Sequence, residues 1–396
     1  MALPLEKIRV LDLSRVLAGP YCTMMLGDLG AEVIKVERPL TGDDTRQWGP
    51  PFAAGQSAYY LCCNRNKKGI TLNLKSPRGR EIAAQLADQC DVLVENFLPG
   101  TLDAWGLSYE TLSRRNPRLV YCSITGFGQT GPRRDEPGYD IMIQAMAGAM
   151  SITGEADGPP MKLGVAISDI TAGLFACNSI LAALYARERS GKGDRIDTAL
   201  FDATIAWLAN VGSNYLVSGL VPQRLGTAHP NIVPYQAFQA ADESLIVAVG
   251  NDDQFVKFCA VLGRSELARD PRFATNPLRV QNRAALLPLI DKEVARRPAA
   301  EWLQRLDEAG ISCAPVNTVD RVFDDRQTAA REMLIEIPHP TIGTLKMAGT
   351  PLKLASLAPP PRRPPPLLGE HTDQVLADML GFSADELRQL NADRVV

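Results

Sequence analysis

Over its first two hundred residues the chain alternates short, β-branched apolar runs with helix-length stretches, and few folds accept that order. Ile8–Leu13 reads as a strand. Gly19-Pro20 interrupts it, and Tyr21–Leu29 follows as a helix closed by Gly30. Further strands are expected over Glu32–Val36, Ile70–Leu74, Asp91–Glu95 and Leu119–Ile124. A helix opens at Pro77, a residue suited to a first helical turn, and runs to about Gln89. Strands separated by helices predict a parallel sheet covered on both faces, with ligands gathered at the carboxyl ends of its strands.

A long, mostly apolar helix is expected over Ile170–Glu188, stopped by Ser190-Gly191-Lys192-Gly193, and another over Ala199–Val217. The stretch 225–325 carries a strand signal at Ser244–Val249. Its helix signals are Asp252–Leu262, Arg283–Ala295 and Ala299–Ala309. The reading is a large α/β domain over 1–200, completed by 330–396, and a smaller α+β domain over 225–325. Residues 201–224 and 326–366 serve as connectors. The proline cluster Pro359–Pro366 is read as extended, because a helical pattern, Thr372–Leu380, follows it.

Composition narrows the function. A net charge of -3 offers no electrostatic case for nucleic acid or an anionic membrane as partner. No apolar run is read as long enough to span a bilayer, and the N-terminus passes directly into a strand. A cytoplasmic protein is expected. The 8 cysteines form no Cys-x-x-Cys, and His229, His339 and His371 lack metal-ligand spacing, so no metal is expected. The first strand–helix turn, Ser14-Arg15-Val16-Leu17-Ala18-Gly19-Pro20, lacks the glycine fingerprint of dinucleotide sites. No P-loop, Gly-x-Ser-x-Gly elbow or His-Glu-x-x-His occurs. Asp169 precedes the long apolar helix, where an aspartate is a favoured N-cap.

Several separated motifs go further. They are Val10-Leu11-Asp12-Leu13-Ser14-Arg15 with Gly19-Pro20, the run Leu26–Glu37, and Asn64-Arg65-Asn66-Lys67-Lys68. Glu95-Asn96-Phe97, Ser123–Gly128, Gly164–Gly173 around Asp169, and Leu368-Gly369-Glu370-His371-Thr372 complete the set. In this order, over nearly the whole chain, they resemble the class III CoA-transferases (the CaiB/BaiF type, formyl-CoA transferase-like). Gly42–Phe52, Tyr59-Tyr60-Leu61, Gly226-Thr227-Ala228-His229 and Ile232–Phe238 resemble the subgroup acting on succinate, hydroxymethylglutarate and glutarate.

The resemblance implies a Rossmann-like large domain and an interlocked, ring-shaped homodimer. The implied substrates are CoA thioesters and small carboxylic acids, with no permanently bound cofactor. Asp169 becomes the expected nucleophile, forming an aspartyl covalent intermediate. Arg15, Val16, Arg38, Leu72, Lys75, Asn96 and Phe97 match positions along CoA. One departure is Ala104, where the family's transferases can carry an arginine. A dicarboxylate's distal carboxylate needs a cation, for which Arg65 is favoured over Arg46. Tyr139 is expected in the acyl pocket, and Gly226 or the Gly250-Asn251 turn in a loop that closes over Asp169.

Two alternatives stay open. An α-methylacyl-CoA racemase shares the fold but uses Gly-His-Asp where this chain has Gly138-Tyr139-Asp140. A tyrosine, with an ordinary pKa of about 10, serves acid–base chemistry poorly near neutrality. A non-catalytic CoA-binding protein would keep Arg38 and Asn96 but have no need of Asp169.

Overall fold

The structure of the protein is a computed structural model describing residues 3–355 and 362–396. The chain forms two compact units, one of residues 1–148, 163–209 and 326–396, the other of 149–162 and 210–325.

The first unit is built on a six-stranded sheet. Its strands are β1 (Arg9–Asp12), β2 (Glu32–Glu37), β3 (Lys67–Thr71), β4 (Val92–Glu95), β5 (Val120–Thr125) and β6 (Arg195–Ala199), in the order β3-β2-β1-β4-β5-β6. Every pairing is parallel. Alternate residues serve opposite faces, as a pleated strand requires. Val10, Val33, Val94 and Cys122 pack beneath α1 (Ala18–Asp28) and a later helix. Leu11, Ile34, Ile70 and Leu93 pack beneath α2 (Pro77–Asp88) and the C-terminal Val375, Leu376 and Leu390. With both faces covered, the sheet is the expected parallel α/β layer.

Boundaries moved where charge obscured the strand pattern. β3 begins at Lys67, three residues before the expected Ile70, because Lys67 is fully buried against Asp12. No strand is expected over β6, within the large domain; it lies at the sheet edge and exposes alternate polar residues. The helix expected from Ala199 follows it in two pieces, Leu200–Trp207 and Ala209–Ser218, broken at Ala209, whose φ is +43°. Pro20 does not break α1; it sits in the first turn, where the missing N–H has no intrahelical partner to lose.

Three more helices join α1 on its face of the sheet: α3 (Asp140–Met146), α4 (Ile167–Ser190) and α5 (Leu200–Trp207). A Cβ on Gly173 of α4 would lie 2.6 Å from the Ala18 carbonyl oxygen, so α1 and α4 meet backbone to backbone. By length and apolarity α4 qualifies as a bilayer-crossing segment, which corrects the reading that no such run exists. Its stripe Ala172, Ala176, Ile180 and Leu184 is packed into the core cluster of α1 and the sheet.

The stretch read as a connector over 326–366 contains an antiparallel hairpin, Leu334–His339 with Gly343–Ala348. Ile335, Ile337, Leu345 and Met347 bury its inner face with Leu61. Part of the proline cluster, residues 359–361, lies outside the described residues.

The second unit has an antiparallel three-stranded sheet of Tyr235–Gln239, Ser244–Ala248 and Ser312–Pro315. Helices Asp252–Val261, Arg283–Val294 and Ala299–Glu308 contribute Phe255, Phe258, Leu286, Ile290 and Trp302 to its core. The segment 149–162, within the stretch read as large domain, clusters with this unit.

Candidate active site

The turn between β1 and α1 is shaped by buried carboxylates and an amide instead of glycines. Three successive backbone N–H groups are taken by side chains. Ser14 donates to Asp12 Oδ1 at 3.0 Å, Arg15 to Asn96 Oδ1 at 3.0 Å, and Val16 to Asp43 at 3.2 Å. Lys35 Nζ donates to the Ser14 carbonyl and to Asp43, both at 3.0 Å. Lys67 Nζ bridges Asp12, the Pro20 carbonyl and Asn64. These contacts hold Val16 at φ +70°, a region a β-branched residue rarely visits. They also explain the missing glycine fingerprint: a turn whose N–H groups are occupied cannot cradle a pyrophosphate, so phosphates here need cationic side chains.

Lys35 and Asp43 are each wholly buried at the side chain. Burial alone would lower the Lys35 pKa, but the carboxylates of Asp43, Asp12 and Glu37 outweigh it and raise it. Burial likewise opposes ionisation of Asp12, and Lys67 and Lys35 overcome that and pull it below the usual carboxylate range.

Two cavities flank this turn. The first, about 660 Å³, is lined by Arg15, Arg38, Leu72, Lys75, Phe97 and the unexpected Arg394. The second, about 590 Å³, is lined by Arg15, Val16, Asn96, Tyr139, Asp140 and Asp169 among others. Every sequence-derived CoA position therefore borders one cavity or the other, at the carboxyl ends of β1 to β4. Asn96 also fixes the first turn, since its Nδ2 donates to the Arg15 carbonyl at 2.7 Å.

Asp169 stands at the third residue of α4, not at its cap; the cap is Ala166, which offers no side-chain acceptor. The acceptor comes from α3, where Asp140 Oδ1 receives the Ser168 N–H at 2.8 Å. Gln144, fully buried, braces this arrangement. Its Nε2 donates to Asp140 Oδ2 at 2.7 Å, and its Oε1 accepts the Leu163 N–H at 2.9 Å. Gly126 and Gly138 allow α3 this close, because a Cβ on Gly138 would fall 2.4 Å from the Gly126 Cα. The Asp169 carboxylate makes no hydrogen bond to a described residue. Burial, and secondarily the Asp140 carboxylate, push it up to about 7. A helix N-terminus favours an ionised carboxylate, but here desolvation outweighs it. Trp48 and Asp140 also line this cavity; both lie inside segments quoted above, where neither is given a role.

The two arginines expected to meet a distal carboxylate are committed elsewhere. Arg65 pairs with Asp28 through Nε at 2.9 Å and Nη2 at 2.6 Å, and its Nη1 donates to the Ala348 carbonyl. Arg46 grips Glu37 with two bonds of 2.7 Å and stacks over Tyr60 at 3.7 Å. Neither lines the Asp169 cavity. Gly226 belongs to the second unit, at φ +58°, and donates to the Gly154 carbonyl. Gly250 donates to Gln254 Oε1 there. Among the described residues, no group of three or more His, Cys, Asp or Glu side chains could hold a metal ion.

A family model described as CoA-transferase family III matches residues 5–372. The chain belongs to this family. The transferase is 46% identical to the succinyl-CoA:glutarate CoA-transferase of Mus musculus over 99% of its own length and 90% of that protein's. It is 46% identical to the succinate–glutarate CoA-transferase of Agrobacterium fabrum, covering 95% and 96% of the two chains. A CaiB/BaiF family protein from Brucella suis superposes with a TM-score of 0.85, at 46% identity, covering 96% of this chain and all of that one. The protein is therefore an enzyme that transfers CoA.

Proposed function

We propose that this transferase moves CoA between succinyl-CoA and glutarate or a similar short dicarboxylate, through a covalent intermediate on Asp169. The observation that carries the reading is the Asp169 carboxylate, unbonded and desolvated in one cavity, beside a second cavity furnished with cations. Arg38, Lys75 and Arg394 line that second cavity and are the cations available to CoA phosphates there. Succinyl-CoA and glutarate follow from the named activities of the mouse and Agrobacterium relatives.

Asp169 attacks the thioester carbonyl, giving a mixed anhydride and releasing CoA thiolate. The thiolate attacks the aspartyl carbonyl, freeing succinate and leaving an aspartyl-CoA thioester. Glutarate attacks that thioester and the thiolate leaves again. Finally the thiolate takes the glutaryl group from the new anhydride, restoring Asp169. One thioester replaces another, so no energy source is consumed. Each step is a simple acyl transfer, and the half-enclosed cavity limits competing hydrolysis.

Incubation with succinyl-CoA and glutarate should yield glutaryl-CoA and succinate, with an aspartyl-CoA adduct on the Asp169 peptide in acid-quenched enzyme. Deuterium exchange at the α-carbon of a 2-methylacyl-CoA without acyl exchange would instead make the protein a racemase. A protein that binds CoA and does neither would be a non-catalytic binder.

The same reading includes an interlocked homodimer in the cytoplasm. Helix Ala209–Ser218 buries none of its residues; its Leu216 and Val217, and Leu220 and Val221 just after it, are exposed. So large an apolar surface needs a cover, and a second copy of the chain provides one. Light scattering should give twice the chain mass at micromolar concentration; a monomer would refute the arrangement.

A further inference from the structure

With Arg65 and Arg46 committed to carboxylates of the chain itself, a dicarboxylate bound at Asp169 must find its cation elsewhere. Among the described residues lining the Asp169 cavity, Arg15 is the sole lysine, arginine or histidine, against the carboxylates of Asp44, Glu136, Asp140 and Asp169. An acceptor anion entering so acidic a cavity needs that one positive charge.

Arg15 is built to serve it. Its main chain is clamped on both sides by Asn96, which accepts from the N–H and donates to the carbonyl. The base of the side chain is thereby fixed while the guanidinium stays partly exposed, lying 5.7 Å from the Phe97 ring centroid. In the free enzyme it makes one contact of 3.3 Å, through Nη1, with Asp44. Asp44 is also bonded to Arg38, so that carboxylate does not depend on Arg15 for a partner. A single, half-exposed contact at this distance is weak and screened by salt. A second carboxylate can meet the fork with two parallel bonds and displace it.

We propose that Arg15 receives the distal carboxylate of the dicarboxylate substrate, and that Asp44 holds its guanidinium until the substrate arrives. The inference rests on the dicarboxylate reading above. Arg15 also borders the cavity assigned to CoA, so the competing role is a contact with a CoA phosphate. The two roles part when acceptors differing only in the distal group are compared.

The test measures kcat/KM for glutarate and for isotope-labelled pentanoate, the latter read as labelled pentanoyl-CoA, with one unlabelled pentanoyl-CoA donor, in wild type, Arg15→Gln and Arg15→Lys. Arg15→Gln should lower kcat/KM for glutarate about 100-fold, the effect of losing a charge-assisted pair. Transfer to pentanoate and the KM for pentanoyl-CoA should change far less, so that the preference for glutarate over pentanoate collapses. Arg15→Lys, which keeps the charge and loses the fork, should recover part of the glutarate activity. Asp44→Asn should lower the KM for glutarate about threefold, and that gain should vanish in Arg15→Gln/Asp44→Asn, the signature of coupled residues. Equal losses for both acceptors, or a raised KM for pentanoyl-CoA with an unchanged preference, would overturn the proposal in favour of a CoA contact. Wild-type enzyme that uses pentanoate but not glutarate would instead remove the dicarboxylate reading on which it stands.

Discussion

Asp169→Asn is expected to abolish CoA transfer, by about 10⁴-fold or more, while stabilising the folded chain above neutral pH. The carboxamide keeps the size of the protonated acid and loses the nucleophile, so CoA should still bind and no adduct should form. The stability gain follows from burial. The unfolded chain releases this proton near the ordinary value of 3.8, whereas the folded chain holds it up to about 7. The sign is that of a carboxyl raised on folding: the native state binds more protons, so stability is lost as pH rises from the first value towards the second. Above 7 the wild-type enzyme carries that cost in full and the asparagine variant does not. Allowing for the open side of the cavity, the difference is roughly 2 kcal/mol. Denaturant titrations of both proteins at pH values on either side of 7 measure it; a variant no more stable than wild type above neutrality would show the carboxylate to be solvated. The same shift sets an acid limb on kcat/KM, activity falling about tenfold per pH unit below 7, since the attacking form is the carboxylate. Asp140→Asn removes the like charge and should move that limb to lower pH.

Asp12→Ala is expected to cost about 3–5 kcal/mol, because it leaves Lys67 charged and buried without its carboxylate. Asp12 accepts from Ser14 N–H and Oγ, from Thr23 Oγ1 at 2.6 Å and from Lys67 Nζ at 3.1 Å, and its side chain and that of Lys67 are wholly inaccessible. Adding Lys67→Met should restore much of the stability, since no lone charge then remains. It should not restore activity, since the Ser14 N–H is still released and the turn beside both cavities loosens. A denaturant midpoint unmoved by the single substitution would mean that water reaches Lys67.

How legible these features were depended on whether their cause was local. Pro77 and the amphipathic helix α2 behind it were visible because capping and periodicity act within a few residues; Ser76 accepts the Gly79 N–H as such a start requires. β3 was misplaced by three residues because Lys67 looks like a loop residue until its partner, 55 positions earlier, is known. β6 went unseen because an edge strand with alternating polar residues has the pattern of surface chain. Asp169 was singled out, but its surroundings differ from what its local sequence suggests. A helix start suggests an ionised, capped carboxylate, whereas α3 supplies the cap through Asp140 and the cavity walls remove the water.

The arginines carry the same lesson. Nothing in Asn64-Arg65-Asn66 or in Asp44-Thr45-Arg46 distinguishes a ligand cation from a structural one, because the distinction lies with Asp28 and Glu37 on other elements. The sequence by itself determined the parallel α/β layer and the family, since periodicity and ordered motifs are written along the chain. Only the tertiary structure decided which charges are committed and which remain for substrate, because a guanidinium's role is set by the carboxylate that folding brings within about 3 Å of it.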